Sequence, residues 1–226
     1  MPYRIFLAAT FLVFLFMQAT LSSAFVPEEQ LLSSAEQARI LSEFSARLKT
    51  IKRFQAEFVQ DRHIQTFLDV LQTKGIIQFE APDKLRWEVR QPYSSISILN
   101  GKKAAKFDIE NGKVTRMTGM EDFLYEVLHQ IAVIIQGNFE GIGKSFQIKA
   151  GRIDQRYILH LQPKDRNLSK SISGMQILSD VHLERVQQVT IFEQQGDRIE
   201  ITFSQPSEGL TFGPRVFDLR QPIFSE

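Results

Sequence analysis

The stretch from Lys74 to Phe107, KGIIQFEAPDKLRWEVRQPYSSISILNGKKAAKF, constrains the fold more than any other part of the chain. Apolar and polar residues alternate through short runs that break at Pro82, Pro92 and Asn100-Gly101. Ile77 and Phe79 share one face of the first run, with Gln78 and Glu80 opposite. Leu85, Trp87 and Val89 form the apolar side of the second, against Arg86, Glu88 and Arg90. Ile96 and Ile98, then Ala105 and Phe107, continue the alternation. A period of two with turn chemistry between runs specifies antiparallel strands that are apolar on one side and solvated on the other. Something must cover the apolar side.

Two amphipathic segments offer themselves as that cover. Ile40, Leu41, Phe44, Leu48 and Ile51 recur at helical spacing after Pro27-Glu28-Glu29, which suits a helix start. Glu121 to Gln136 carries a broader apolar face of Phe123, Leu124, Val127, Leu128, Ile131, Ile134 and Ile135, ended by Gly137-Asn138. Around them the period returns to two. Phe54, Ala56 and Phe58 begin a strand, while Asp61 to Gln72 reads either as hairpin or as loop. Asn111-Gly112 is the clearest tight hairpin turn. Further strands follow around Phe146, Tyr157–Leu161, Met175–Ile177, Val189–Ile191 and Ile199–Phe203. Ser207 to Glu226 reads as loop with room for one more strand. The order is helix, about four strands, helix, then five or six strands. This predicts an α+β fold with one large curling antiparallel sheet and few helices.

The N-terminus supplies an address. Arg4, an apolar run from Ile5 to Met17 and the small residues Ser22-Ser23-Ala24 make residues 1–24 a signal peptide, cleaved near Ala24. The run is shorter than the ~20 residues of a membrane span. Residues 25–226 are expected to form a single soluble domain in the periplasm. There is no cysteine, so neither disulfides, thiolate chemistry nor a lipidated N-terminal cysteine is available. Without residues 1–24 the chain balances 26 basic against 26 acidic residues, which argues against nucleic-acid binding.

No catalytic constellation stands out. His63, His129, His160 and His182 lack metal-ligand spacing, and no Gly-x-Ser-x-Gly elbow or phosphate loop is present. Gly141-Ile142-Gly143-Lys144 reads as a turn. The residues give no sign of an enzyme, a cofactor or a metal.

Phe54-Gln-Ala-Glu-Phe-Val-Gln60, Gly75-Ile-Ile-Gln-Phe79, Pro82-Asp-Lys-Leu-Arg-Trp87, Pro92 and Asn100-Gly101 together resemble the LolA family, periplasmic carriers of outer-membrane lipoproteins. Glu193 to Asp197 followed by Ile199-Glu-Ile-Thr-Phe203 resembles the family's late hairpin. The resemblance implies an incomplete, strongly curved antiparallel β-barrel covered by a lid of helices, with acyl chains held between them. Family members carry an arginine before the proline of this stretch that is linked to holding the lid closed. Ala81 stands there in this chain, so that role is not carried over.

The expected function is that of a chaperone that shields acyl chains of lipoproteins, or of a related lipid, between an inner-membrane donor complex and an outer-membrane acceptor, acting as a monomer. A periplasmic lipid-sensing regulatory or interaction protein on the same scaffold is the alternative. The expected cavity wall comprises Phe58, Ile77, Phe79, Leu85, Trp87, Val89, Ile98 and Phe107 from the sheet. Phe123, Leu124, Val127, Leu128, Ile131 and Ile134 complete it from the lid helix. Ordinary core packing is the competing role for each of them.

Overall fold

Among the described residues of the computed structural model, all strands belong to one antiparallel sheet of twelve, in the order β1-β8-β9-β10-β11-β12-β2-β3-β4-β5-β6-β7. The described residues are 29–166 and 168–224; the predicted signal peptide lies outside them, as does the side chain of Phe123. β1 (Gln30–Leu31) and β7 (Lys113–Met117) are the two edges, so the sheet does not close into a barrel. One meander runs from β2 (Arg53–His63) through β3 (Leu71–Glu80), β4 (Lys84–Gln91), β5 (Ser94–Asn100) and β6 (Lys103–Glu110) to β7. A second runs from β8 (Phe146–Ile153) through β9 (Arg156–Pro163), β10 (Ile172–Ser179) and β11 (Val186–Glu193) to β12 (Arg198–Glu208). β12 then pairs with β2 and joins the halves.

This topology explains the helices. After β7 the chain stands at one edge of the sheet, and its next strand, β8, lies beside the other. The connection therefore has to cross a face, and it does so as α2 (Glu121–Ile135) and α3 (Phe139–Ser145). α1 (Ser34–Leu48) packs on the same face, and α4 (Leu168–Ser171) is a single turn before β10. α1 starts later than the Pro27 signal implies. Ser33 caps it, its Oγ accepting from the Glu36 N–H while the Glu36 carboxylate accepts from the Ser33 N–H. This S-x-x-E box outweighs Pro27, because it satisfies two orphan donors at once. Residues ahead of it pair with β8 as β1 instead.

Two clusters fill the helix-covered, inner face. Ile40, Phe44 and Leu48 of α1 pack on Ala150, Leu159, Leu161 and Ile177 of β8–β10. Leu124, Leu128, Ala132 and Ile135 of α2 pack on Phe58, Ile77, Phe79, Leu85 and Leu99. Each Ile, Leu or Phe among them contributes about 1.5–3 kcal/mol by leaving water. A third cluster lies on the outer face, where Ile96, Ile98, Ala105 and Phe107 meet Val216 and Phe217 of the C-terminal tail. Among the described residues the tail adds no strand beyond β12, and its segment lies across β4–β6 under polar clamps.

Tight geometry appears at two glycines. Asn111 and Gly112 both have positive φ, 51° and 75°, the pattern of a primed hairpin turn. Gly75 lies beside a bulge in the β3–β4 pairing, and a Cβ there would stand 1.9 Å from the Glu88 carbonyl oxygen. Only glycine lets the two backbones approach this closely.

Across the β2–β3–β4 ends, Glu80 accepts from Arg53 Nε at 2.8 Å and from Lys84 Nζ at 2.7 Å. The Lys84 hydrogen bond, with Arg53 adding to it, holds the Glu80 carboxyl below its ordinary pKa. A depressed carboxylate stabilises the fold above its unfolded-state pKa, about 4.3, and that contribution disappears as pH falls through the folded value. Glu80→Gln should therefore cost no more than about 1 kcal/mol at neutral pH. Urea denaturation at pH 7 and pH 3 checks this: the difference from the parent should vanish at the acid end. An equal difference at both values would mean that the charge is not its source.

Candidate functional site

A cavity of about 310 Å³ opens where the ends of α1 and α2 come together over the seam between β2 and β12. α1 stops at Leu48, and a turn in which the Ile51 N–H donates to the Leu48 carbonyl leads into β2. Leu48 and Ile51 form one wall, Phe54 and Ala56 of β2 a second, Ile135 of α2 a third and Phe203 of β12 a fourth. Sequence alternation brings Phe54 and Ala56 to the inner face, and pairing in register puts Phe203 opposite Phe58. The seam is irregular here. The β12–β2 pairing shifts between Ser204 and Ser207, and Gln205 adopts a positive φ of 49°. Pro206, which has no N–H to give the ladder, occupies the shift and lines the cavity. A bulge bends its strand, and that bend accompanies the opening.

The fifth wall is the connection between β10 and β11. Asp180 organises it, its Oδ1 accepting from the backbone N–H of Glu184 at 2.7 Å and of Arg185 at 3.3 Å. Leu183, at a φ of 58°, sends a buried side chain into the α1 cluster and fixes the loop to the core. Val181, Arg185, Val186 and Gln187 then face the cavity. Arg185 Nη2 stands 3.7 Å from Glu208 Oε1, and Arg47 of α1 stands 3.5 Å from Glu184. These pairs are exposed and weak. The walls are otherwise apolar, and among the described residues no cluster of three or more His, Asp or Glu side chains could hold a metal. What this arrangement can do is withdraw hydrocarbon from water next to a polar rim.

The residues chosen from the sequence fall elsewhere. Phe58, Ile77, Phe79, Leu85 and Val89 do share the inner face, and Leu124 and Leu128 of α2 do face them, but they pack against one another as core. Trp87 is half-buried on the same face, its ring 4.1 Å from Phe58 and 6.4 Å from Phe203, centroid to centroid. Ile131 packs at the edge of this cluster, whereas Ile134 turns to the α1 cluster. Val127 is 40% exposed and faces away from the core. Ile98 and Phe107 need correction. They lie on the outer face beneath the tail, because β5 pairs Ile98 with Arg86 and Leu99 with Leu85. It is Leu99 of β5 and its partner Ala104 of β6 that continue the inner face. β5 is buried on both sides, so its alternation does not reveal which isoleucines point inward. None of the described side chains chosen from the sequence lines the cavity. Phe54 and Phe203 do, and both stand in the segments that carry the family resemblance.

Arg86 shows why the outer face is not solvated. Its guanidinium, 1% exposed, donates to Glu88 and to the carbonyls of Val216 and Ile223. Near the β1 edge, His160 Nε2 and Glu29 Oε1 lie 2.6 Å apart, a pair that ties the residue before β1 to β9.

Known proteins resemble this chain in sequence. An outer-membrane lipoprotein carrier protein of Coxiella burnetii (strain RSA 331 / Henzerling II) is 22% identical over 190 residues, covering 81% of this chain and 84% of its own length. One from Nitrosospira multiformis is 24% identical over 190 residues, covering 77% and 83%. The crystal structure of a LolA superfamily protein from Nitrosomonas europaea superposes with a TM-score of 0.45 at 10% identity, over 80% of this chain and 97% of that one. The family model described as outer membrane lipoprotein carrier protein LolA matches residues 49–220, from the turn after α1 to the C-terminal tail, and the chain belongs to that family.

Proposed function

We propose that this protein is a periplasmic carrier that shields an acyl chain in the cavity between α1, α2 and the β2–β12 seam. Its cargo is an acylated lipoprotein, taken from an inner-membrane donor and given to an outer-membrane acceptor. The observation that carries the reading is the apolar cavity of about 310 Å³ beneath the helix ends of a LolA-family chain. No bond is made or broken in this role; the work is transfer. Withholding a methylene from water is worth about 0.8 kcal/mol, so a dozen of them amount to about 10 kcal/mol. Spontaneous release into water is correspondingly slow, which makes direct handover between membranes the economical route. The names of the curated relatives support the same cargo class.

Trp87 provides a test, being the chain's one tryptophan and packed edge-on to Phe203 of the cavity wall. Titrating the mature protein with a palmitoylated peptide should change Trp87 emission saturably, and native mass spectrometry should find the complex. Phe203→Ser should weaken binding by about tenfold, since a large aromatic wall is removed. A protein that never takes up the peptide by either readout would refute the carrier reading.

A further inference from the structure

We propose that the edge strand β7, with the basic cavity at its end, docks an extended acidic segment of another polypeptide by strand addition. This surface lies apart from the apolar cavity and does not rest on the carrier reading. β7 pairs only with β6, and all five of its residues are exposed. The Asn111-Gly112 turn fixes which of its backbone groups are free. In a two-residue hairpin the flanking residues, here Glu110 and Lys113, exchange both hydrogen bonds. Lys113, Thr115 and Met117 therefore turn their N–H and C=O groups to β6. Val114 and Arg116 turn theirs outward, where no described strand meets them. An extended peptide laid beside β7 satisfies both residues with main-chain hydrogen bonds.

Charge decides which peptide. β7 holds Lys113 and Arg116 and no acidic residue. At its C-terminal end Arg116 joins Lys102, Lys103 and Arg220 around a polar cavity of about 470 Å³, where Glu121 and Asp122 are the only carboxylates. Four cations thus stand against two acids. Glu121 is already engaged, accepting from the Gly119 N–H at 2.8 Å. Lys106 pairs with Asp108 at 3.4 Å, whereas Lys102, Lys103 and Lys113 form no ion pair among the described residues. The same cations bar self-pairing, because a second copy of β7 would set Lys113 and Arg116 against like charges. A segment with glutamate or aspartate at alternate positions gains attraction where a second copy meets repulsion.

The test is fluorescence anisotropy of a labelled, end-blocked peptide of alternating threonine and glutamate, about eight residues long, on the full mature protein. The parent should bind it, and raising the salt from about 0.01 M to about 0.15 M should weaken binding several-fold. A peptide with lysine in place of glutamate should bind at least about tenfold more weakly. Val114→Pro removes one outward N–H where an edge strand tolerates proline, and it should weaken binding about five- to tenfold with the thermal midpoint little changed. Lys102→Glu combined with Lys103→Glu should weaken it by about tenfold or more. Hydrogen exchange at the Val114 and Arg116 amides of the parent should slow when the acidic peptide binds. No binding at either salt, or equal binding of the acidic and basic peptides, overturns the proposal. Binding that Val114→Pro leaves intact, with unchanged exchange at Arg116, overturns strand addition. Concentration-dependent dimers of the parent that Val114→Pro abolishes would give the edge to a second copy and overturn it as well. Uptake of the palmitoylated peptide is independent of all these outcomes, so failure here and failure of the carrier reading are distinguishable.

Discussion

Glu88→Ala is expected to remove about 3–5 kcal/mol of folding stability, as a buried charge left without its partner does. Glu88 is fully buried on the outer face, where its Oε2 accepts from Arg86 Nε at 2.9 Å and from Nη2 at 2.6 Å. Its Oε1 accepts from Arg90 Nε at 2.9 Å. Burial pushes the Arg86 pKa down while the Glu88 charge holds it up, and guanidinium cannot shed its proton to escape the penalty. The same guanidinium donates to the carbonyls of Val216 and Ile223, so the ion pair also holds the tail. Two measurements check this. Chemical denaturation should show the loss, and limited proteolysis should cut the tail faster in the variant. A double variant, Arg86→Met with Glu88→Leu, should recover part of the stability, because replacing both charges costs less than stranding one. If the double variant is worse than the single one, the pair contributes net attraction and the desolvation account is wrong.

The second large effect concerns Phe58→Ala, expected to cost about 3–5 kcal/mol through lost transfer energy and the void left behind. Phe58 is 1% exposed, packs tilted against Trp87, and its ring tip leaves no room for a Cβ at Gly75. Val127→Ala, at a residue 40% exposed on α2, should change stability by less than about 0.5 kcal/mol. The contrast separates core from surface among residues that the sequence pattern groups together. Should Phe58→Ala prove mild while acyl-chain binding rises, the inner face under α2 would be an adjustable wall and not a packed core. That outcome would enlarge the site toward Ile77 and Leu85.

Much of the fold is legible in the amino-acid sequence. The alternation around Trp87, the Asn111-Gly112 turn and the stripe of α2 each encode local geometry in a short window, and the chain adopts that geometry at all three. The resemblance through Phe54–Gln60 and Pro82–Trp87 points to the same family that matches residues 49–220. Ile98 and Phe107 escape this logic, because a strand buried on both faces erases the polar half of the pattern. Arg86 and Glu88 mislead in the same way, charged yet buried, since the carbonyls that accept from Arg86 belong to residues more than a hundred positions later.

Sequence alone determined the strands around Trp87, the helices α1 and α2, the apolar inner face and the family, because these depend on period, turn chemistry and short motifs, whereas residues 141–144, which read as a turn, lie in α3. Tertiary structure decided where the empty space lies. A void is the difference between the volume the elements enclose and the volume their side chains fill, and no local pattern records that difference. Packing closes the space beneath α2 around Phe58 and Phe79 and leaves it open beside Phe54, Pro206 and Phe203, where β12 slips its register against β2.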